Sequence, residues 1–475
     1  MLKLDRIKNV HIVGAGGIGL SAVAKLLHHE GKRVTGSDIA PSETTDELEA
    51  LGISVSYRHL AKNLPDDADL LIYSGAVPPS NPERRAARER DVTEVSYFDF
   101  LGEYSRTKWT VAVSGTNGKS TTTALLGLML ERAGFDPTVI VGSKVRSWPN
   151  RNLRLGKGKY LVVEACEHEA NMLKLYPQMI VLTNIEEDHL DFYRDLAHIR
   201  ETFQIYVDHL PPDGQLVLNA DDHVGFYELH PSTPFTTYGI QNAADYMARH
   251  IKIGAARQTF EIIALTKLKE VLGDFSMRIP GRFNVMNALA AATAALELGA
   301  PVKAVREALE DFPGVWRRFE KVGERDGAVV ISDYGHHPTS IRGTLQAARD
   351  FYPGRRIVLA FQPHQHNRTR KLFSEFVASL DGADVVILSE IFGVAGRTGD
   401  EDRDVSAKDL AEAVHERDGE RGVEREVGYA DSLEATLVEL EQTVEANDVV
   451  LIMGAGDIYT IAEKFCHPEK IAMKV

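Results

Sequence analysis

The chain has almost no sulfur chemistry, with only two cysteines, Cys166 and Cys466, in 475 residues. Two cannot build a disulfide framework or supply a Cys-based zinc cluster. Long hydrophobic runs are absent too: no window reaches the roughly eighteen apolar residues that a membrane-spanning helix needs. Near the N-terminus no basic flank, apolar core and small-residue cleavage site stand together, so no secretory signal is expected. The third shortage is positive charge. Lys and Arg number 54 against 69 Asp and Glu, a formal net charge of −15. A general nucleic-acid surface needs basic stripes that displace counterions, and this balance argues against one. An anionic small ligand stays open, because a few local cations and backbone N–H groups can hold phosphates on an acidic protein. Short-period repeats and low-complexity tracts are missing as well. The expectation is a cytoplasmic protein acting on small molecules, without nucleic-acid or membrane partners.

What is present is ordinary globular composition, 44% hydrophobic and 26% charged, in a chain too long for one core. Short apolar runs alternate with amphipathic helical stretches, the pattern of parallel-sheet α/β domains. The pattern restarts twice. One block contains KNVHIVGAG, GKRVTGSD and ADLLIYSGAV; the next opens on KWTVAVSGT and includes KYLVVEAC, QMIVLTNI and QLVLNADD. That block ends in two helical runs, NALAAATAALELG and KAVREALEDF. A last block holds AVVISDYG, RRIVLAFQPH, ADVVILSE and NDVVLIMGAGD. Three α/β domains are therefore expected, at 1–106, 107–314 and 315–475, with the polar run Gly396 to Ser406 as a surface loop.

The first block carries HIVGAGGIGL, with Gly14, Gly16 and Gly19 at dinucleotide-fingerprint spacing and Asp38 closing the following apolar run. Glycines allow a tight turn, a helix N-terminus attracts a diphosphate, and a carboxylate can take a ribose hydroxyl. A Rossmann-like domain follows from this pattern, and an NAD-dependent dehydrogenase is one reading of it.

The second block opens with a phosphate loop, Gly115-Thr116-Asn117-Gly118-Lys119-Ser120, between a strand and the helix that begins near Thr121. Backbone N–H groups and Lys119 suit the β- and γ-phosphates, and the Ser120 hydroxyl suits Mg²⁺. The general P-loop has a glycine where this chain has Val113, so the loop is a shorter variant. A tight strand–helix turn without a ligand is the plain alternative. Two later strands of this P-loop-like domain end in metal-compatible groups: Glu164 after one, and Asn184, Glu187, Asp188, His189 and Asp191 after the other. Strand C-termini of a parallel sheet share an edge, so these groups can converge on a nucleotide. One carboxylate, one hydroxyl and phosphate oxygens satisfy magnesium, while an acidic helix start would also explain EEDHLD.

The third block concentrates its chemistry in SDYGHHPT (332–339), QPHQHNRTR (362–370) and GAGD (454–457). Its paired histidines raise a zinc hydrolase, but they lack the helical H-x-x-x-H spacing.

Taken together, SGTNGKSTTT, VVEAC, TNIEEDHLD, PGRFNVMNALAA, GVWRRFE, DYGHHPTSI, FQPHQHNRTR and MGAGD resemble the Mur ligase family, in order and over nearly the whole chain. DYGHHPT, FQPH-x-x-x-RT and GAGGIG are most similar to its L-alanine-adding branch. The resemblance implies Rossmann-like first and third domains around a central ATPase-like domain. It implies an ATP- and Mg²⁺-dependent ligase that joins L-alanine to UDP-N-acetylmuramate through an acyl phosphate, working as a monomer or weak homodimer. On it, the N-terminal fingerprint holds a UDP-sugar rather than NAD, through Gly14, Gly16, Gly17, Ile18, Gly19, Asp38 and Ser74. The ATP set is Gly115, Thr116, Asn117, Gly118, Lys119, Ser120 and Thr121, with Asn284 and Asn287 at adenine and Arg318 and Asp333 from the third domain. Ser120, Glu164 and His189 become the metal ligands. His337, His364 and Arg368 fall at the amino acid, and Lys119, His189, His337 and His364 are the catalytic candidates.

Four departures from the family pattern stand out. Phe283 precedes Asn284 where His is usual, Gln365 replaces an arginine, and Cys166 replaces an aspartate. No lysine lies between Lys174 and Lys252, so the carbamylated lysine of some members is absent. A ligase of the same family that recycles a whole tripeptide onto the same sugar is the nearest alternative. A non-catalytic nucleotide-binding regulator would use the phosphate loop but leave the His, Asn and Arg set idle.

Overall fold

The computed structural model describes residues 2–190, 192–254, 257–266, 270–393 and 404–467. Asp191 and most of the expected loop from Gly396 lie outside them. The chain divides into two compact units: one of 1–185, 200–245 and 290–308, the other of 186–199, 246–289 and 309–475.

The first unit holds two sheets. The N-terminal one has five parallel strands in the order Ser54–Tyr57, Arg33–Asp38, Asn9–Val13, Leu70–Tyr73, Thr93–Ser96. The order reverses direction next to the first strand, which opens a crevice at its C-terminal end, where the glycines lie. Helix Ile18–His29 follows at once and buries Leu20 through Leu27. The second sheet runs Leu153–Arg154, Thr138–Ile140, Tyr160–Ala165, Trp109–Ser114, Met179–Leu182, Gln215–Asn219, Phe235–Gly239. Its central strand, Trp109–Ser114, pairs in parallel on both sides. Val111, Ala112 and Val113 are wholly buried there, which is why this stretch reads as a continuous apolar run.

Helix Tyr97–Ser105 closes the first sheet and packs on the segment that follows Glu167 in the second. Ser96 caps it by accepting from the Asp99 N–H at 3.2 Å. Gly102 lies directly on the Lys174 carbonyl oxygen, where a Cβ would overlap it. Lys174 Nζ meets Asp99 Oδ1 at 3.0 Å, and Ser105 Oγ accepts from the Tyr176 N–H at 3.1 Å.

The second unit contains an antiparallel meander, Tyr246–Ile253, Gln258–Ala264 and Glu270–Met277, which the purely parallel expectation did not include. Its six-stranded sheet runs Glu320–Arg325, Ala328–Asp333, Val449–Met453, Ile357–Phe361, Val385–Ser389, Glu426–Ala430, parallel except at the first pair. Apolar clusters cover both faces, one around Leu359 and Phe376 and the other around Val358 and Phe465. Helices Arg282–Glu297 and Val302–Asp311 form where the two helical runs were expected. Among the described residues no helix is long and apolar enough to cross a membrane.

Gly102→Ala should lower stability by about 1–3 kcal/mol, the cost of forcing atoms into a packed contact. The check is the first urea unfolding transition; an unchanged midpoint would show that the helix does not depend on this approach.

Candidate active site

Strand Trp109–Ser114 delivers the phosphate loop. Val113 is an interior strand residue, so the turn starts only at Gly115 and the loop is short for a structural reason. Gly115 has φ +126° and a Cβ there would overlap the Thr183 hydroxyl; Gly118, at φ +86°, is the N-cap of helix Lys119–Arg132. Both positions need glycine. The neighbouring strand end ties the loop down: Thr116 N–H donates to Asn184 O at 2.9 Å, Asn117 N–H to Asn184 Oδ1 at 2.8 Å, and Thr183 Oγ1 to Asn117 O at 2.7 Å. Asn184, expected among the metal-compatible groups, instead spends its side-chain oxygen on the loop.

Lys119 Nζ folds over this loop, donating to Gly115 O at 2.5 Å and Thr116 O at 3.0 Å and pairing with Glu167 at 2.9 Å. Burial works against its charge, but Glu167, Cys166 and Glu164 more than offset that and raise its pKa. Glu167 is thus a site residue that its motif alone did not single out. Ser120 Oγ donates to Glu164 Oε2 at 3.2 Å, while Glu164 Oε1 accepts from the Gly142 N–H at 2.6 Å. A hydroxyl and a carboxylate beside a phosphate loop are the hard oxygen donors magnesium takes. His189 belongs to the other unit, so the three expected metal ligands are divided between the two. Among the described residues no group of three or more His, Cys, Asp or Glu is arranged to hold a metal ion.

At the N-terminal turn, the N–H groups of Gly14 and Ala15 both donate to Ser37 O, at 2.8 and 3.0 Å. Gly14 has φ +85°, and a Cβ there would lie 3.0 Å from Ser74 Cβ, so Ser74 borders the turn. Asp38 accepts from the Gly16 N–H at 2.7 Å through Oδ2 and from the Ile39 N–H at 2.7 Å through Oδ1. Gly17 is the N-cap of helix Ile18–His29 and supplies no side-chain acceptor for the first N–H groups of that helix. Behind the turn lies a network the sequence did not signal. The fully buried Glu83 carboxylate accepts from Ser37 Oγ at 2.5 Å and contacts His11 Nε2 at 2.7 Å, His59 Nδ1 at 3.1 Å and Asn63 Nδ2 at 3.1 Å.

In the second unit the sites again lie at strand ends. Asp333 is buried, and its two oxygens accept from the N–H groups of Phe319 and Gly335, each at 2.7 Å. Burial raises its pKa despite the Arg318 charge and these bonds. The Arg318 guanidinium lies 4.5 Å over the Tyr334 ring. Its neighbour Arg317, passed over by the sequence reading, is buried and donates to the carbonyls of Gly454 and Gly456, which explains why GAGD closes on WRRFE. Asn284 and Asn287 are both buried; Asn284 donates to Pro280 O at 2.7 Å and accepts from Asn287 Nδ2 at 3.2 Å.

The histidine motifs converge on the segment 186–190. His337, the N-cap of helix Pro338–Phe351, has Nε2 3.0 Å from Glu187 O and Nδ1 3.5 Å from Glu186. Arg368 donates to Asp188 Oδ1 through Nε at 3.1 Å and Nη2 at 2.6 Å. His336 lies 3.8 Å from the same carboxylate; burial works to raise the Asp188 pKa, but Arg368, His189 and His336 more than offset it and leave that pKa well below its ordinary value. Asp188, expected as a metal-compatible group, is therefore the partner of the arginine expected at the amino acid. His364 stacks on Phe392 at 5.5 Å, with its Nδ1 3.3 Å from Arg368 Nη1. Glu187 to Leu190, Gln365, Asn367, Arg368 and Leu372 line one small cleft, and Gln365 takes φ +71° at the start of helix His366–Lys371.

Family comparisons agree with this layout along the chain. Residues 9–109 match the Mur ligase family catalytic domain, 113–295 the Mur ligase middle domain, and 317–456 the Mur ligase glutamate ligase domain. The chain is 38% identical over 466 residues to the UDP-N-acetylmuramate–L-alanine ligase of Syntrophobacter fumaroxidans, covering 96% of this chain and 95% of that one. It is 40% identical over 460 residues to the enzyme of that name from Trichlorobacter lovleyi, covering 96% and 98%. Among solved structures, the UDP-N-acetylmuramate–alanine ligase of Thermotoga maritima superposes with a TM-score of 0.80 at 30% identity, over 98% of this chain and all of the other. A murein peptide ligase from Psychrobacter arcticus shares the fold, with a TM-score of 0.70 at 23% identity over 96% and 98%. Three α/β domains, a strand-borne phosphate loop and near-full-length identity with these ligases lead to one assignment: the chain belongs to the Mur ligase family.

Proposed function

We propose that the chain is an ATP-dependent carboxylate–amine ligase that joins L-alanine to UDP-N-acetylmuramate, the first step in building the peptidoglycan peptide stem, and acts in the cytoplasm. In this reading 1–106 binds the UDP-sugar, 107–314 binds ATP and Mg²⁺, and 315–475 binds the amino acid and part of ATP. The observation that carries it is the loop 115–120, where N–H groups, Lys119 Nζ and the Ser120–Glu164 pair share one strand edge. A dehydrogenase would leave that loop idle. A tripeptide-recycling ligase would share it, but the named relatives of higher identity are L-alanine ligases.

A carboxylate is a poor acyl donor. Its oxygen attacks the γ-phosphorus of ATP, the bond to the β-phosphate oxygen breaks, and ADP leaves as the acyl phosphate forms. The amine nitrogen then attacks the acyl carbon, and inorganic phosphate departs from the tetrahedral intermediate. Lys119 and the loop N–H groups neutralise and align the transferring phosphoryl group. Ser120, Glu164 and His189 are the residues that would hold Mg²⁺, which would supply further charge neutralisation at the phosphates. Asn284 and Asn287 meet adenine, while Arg318 and Asp333 reach ATP from the third domain. His337 or His364 takes the proton that the amine loses, and Arg368 holds the amino-acid carboxylate. Since Asp188 already occupies two of its N–H groups, Arg368 offers the substrate only its remaining edge.

Phosphate release by the purified chain with ATP, Mg²⁺ and UDP-N-acetylmuramate should depend on L-alanine. Dependence on the tripeptide alone would move the protein to the recycling reaction. Lys119→Ala should cut kcat at least ~10²-fold, the scale of losing one transition-state stabiliser; near-normal turnover would sink the phosphate-loop assignment.

The Asp188 cluster also makes a pH prediction. Burial, with the Arg368 charge beside it, lowers the His336 pKa from 6.5 to about 4, so the folded ring is neutral at pH 7. The unfolded chain takes up this proton near its ordinary value, so stability declines as pH falls from about 6.5 toward 4. His336→Gln should flatten that part of the curve in urea titrations at stepped pH, and an equally steep decline would refute the assignment.

A further inference from the structure

The groups assigned to the UDP-sugar come from the N-terminal turn, and those assigned to the transferring phosphoryl group come from loop 115–120 and Glu164. One half-buried aromatic side chain, Tyr97, packs against the N-terminal turn and lies within electrostatic range of Glu164. It is the first residue of helix Tyr97–Ser105, whose position is set by Lys174 and Tyr176, a short way downstream of the Glu164 strand. Its ring end rests on Gly19: a Cβ there would lie 2.6 Å from Tyr97 Cζ and 2.9 Å from the hydroxyl oxygen. The third glycine of the fingerprint therefore makes room for a phenol.

That contact places the hydroxyl at the first turn of helix Ile18–His29, where unpaired N–H groups and the helix dipole favour an anion. Among the described residues the hydroxyl has no hydrogen-bond partner. Glu164 and Cys166 act on it electrostatically. Burial first, then these two groups, raise the phenol pKa above its ordinary value, so the hydroxyl keeps its proton and stays a donor. A neutral donor can hold an anionic oxygen without adding charge that would compete with Lys119 for the γ-phosphate.

We propose that the Tyr97 hydroxyl donates a hydrogen bond to an anionic oxygen of the UDP-sugar and so holds that substrate at the glycine turn. The oxygen belongs either to the diphosphate or to the carboxylate about to be phosphorylated. This assignment rests on the ligase function proposed above.

Tyr97→Phe keeps the ring against Gly19 and Phe98 and removes one donor. In L-alanine-dependent phosphate release by the full chain, the variant should raise KM for UDP-N-acetylmuramate about tenfold, the scale of losing a hydrogen bond to a charged group. KM for ATP and L-alanine and the thermal midpoint should stay at parental values. Calorimetry with UDP alone separates the two sources: weaker UDP binding assigns the diphosphate, and unchanged UDP binding with a lower kcat assigns the carboxylate. Parental KM and kcat for the UDP-sugar would overturn the proposal, and so would an equal loss for all three substrates, which marks a purely structural role. A parent chain with no L-alanine-dependent release would overturn the ligase reading and this assignment with it, whereas an active parent with an unaffected variant overturns this assignment alone.

Discussion

Parallel pairing of strand Trp109–Ser114 with a neighbour on each side is the constraint on which the first unit depends. Strands that run the same way end along one edge, so loop 115–118, Glu164 and Thr183–Asn184 arrive together without any being adjacent in sequence. The crowding at that edge then dictates composition. Gly115 has no room for a side chain beside Thr183, and Gly142 leaves only 2.9 Å between a Cβ position and Glu164 Oε2. Lys119, enclosed there, is held by two carbonyl oxygens and by Glu167. A buried ammonium needs such partners, because desolvation without them costs several kcal/mol.

The second unit solves a similar problem with different pieces. Its parallel strands end in Asp333 and beside Gln362 and Gly454, and each end carries a polar group that must be satisfied in a dry place. Asp333 is fixed by two backbone N–H groups, and Arg317 by two backbone carbonyls. Arg368 takes Asp188 instead, a side chain from a segment far away in sequence. The first two arrangements use backbone and are rigid. The third joins two side chains, and Asp188 holds the guanidinium by a pair of charge-assisted hydrogen bonds.

Much of this was legible because local rules and global fold agree. Buried parallel strands show as apolar runs, and the residue after each run marks a strand end, which is how Glu164, Asp333 and the 362–370 segment stood out. Loop 115–120 was legible for the same reason: Gly, Lys and Ser at a strand–helix junction leave few other structures. The antiparallel meander was missed although Gln258–Ala264 alternates, burying Gln258, Phe260 and Ile262. In its neighbour Tyr246–Ile253 the alternation breaks at a register shift, so no paired signal emerged.

The sequence by itself determined the α/β class, the places where strands end, and the residue types that gather at those ends. All of these follow from short-range periodicity and from backbone geometry that only glycine tolerates. Partner choice was decided by tertiary structure alone. Nothing local to Lys119 names Glu167, nothing local to Arg368 names Asp188, and nothing local to Gly19 names Tyr97. Such pairs form because burial leaves a charge or a donor with one available neighbour, and which neighbour that is depends on how distant strands are ordered in the sheet.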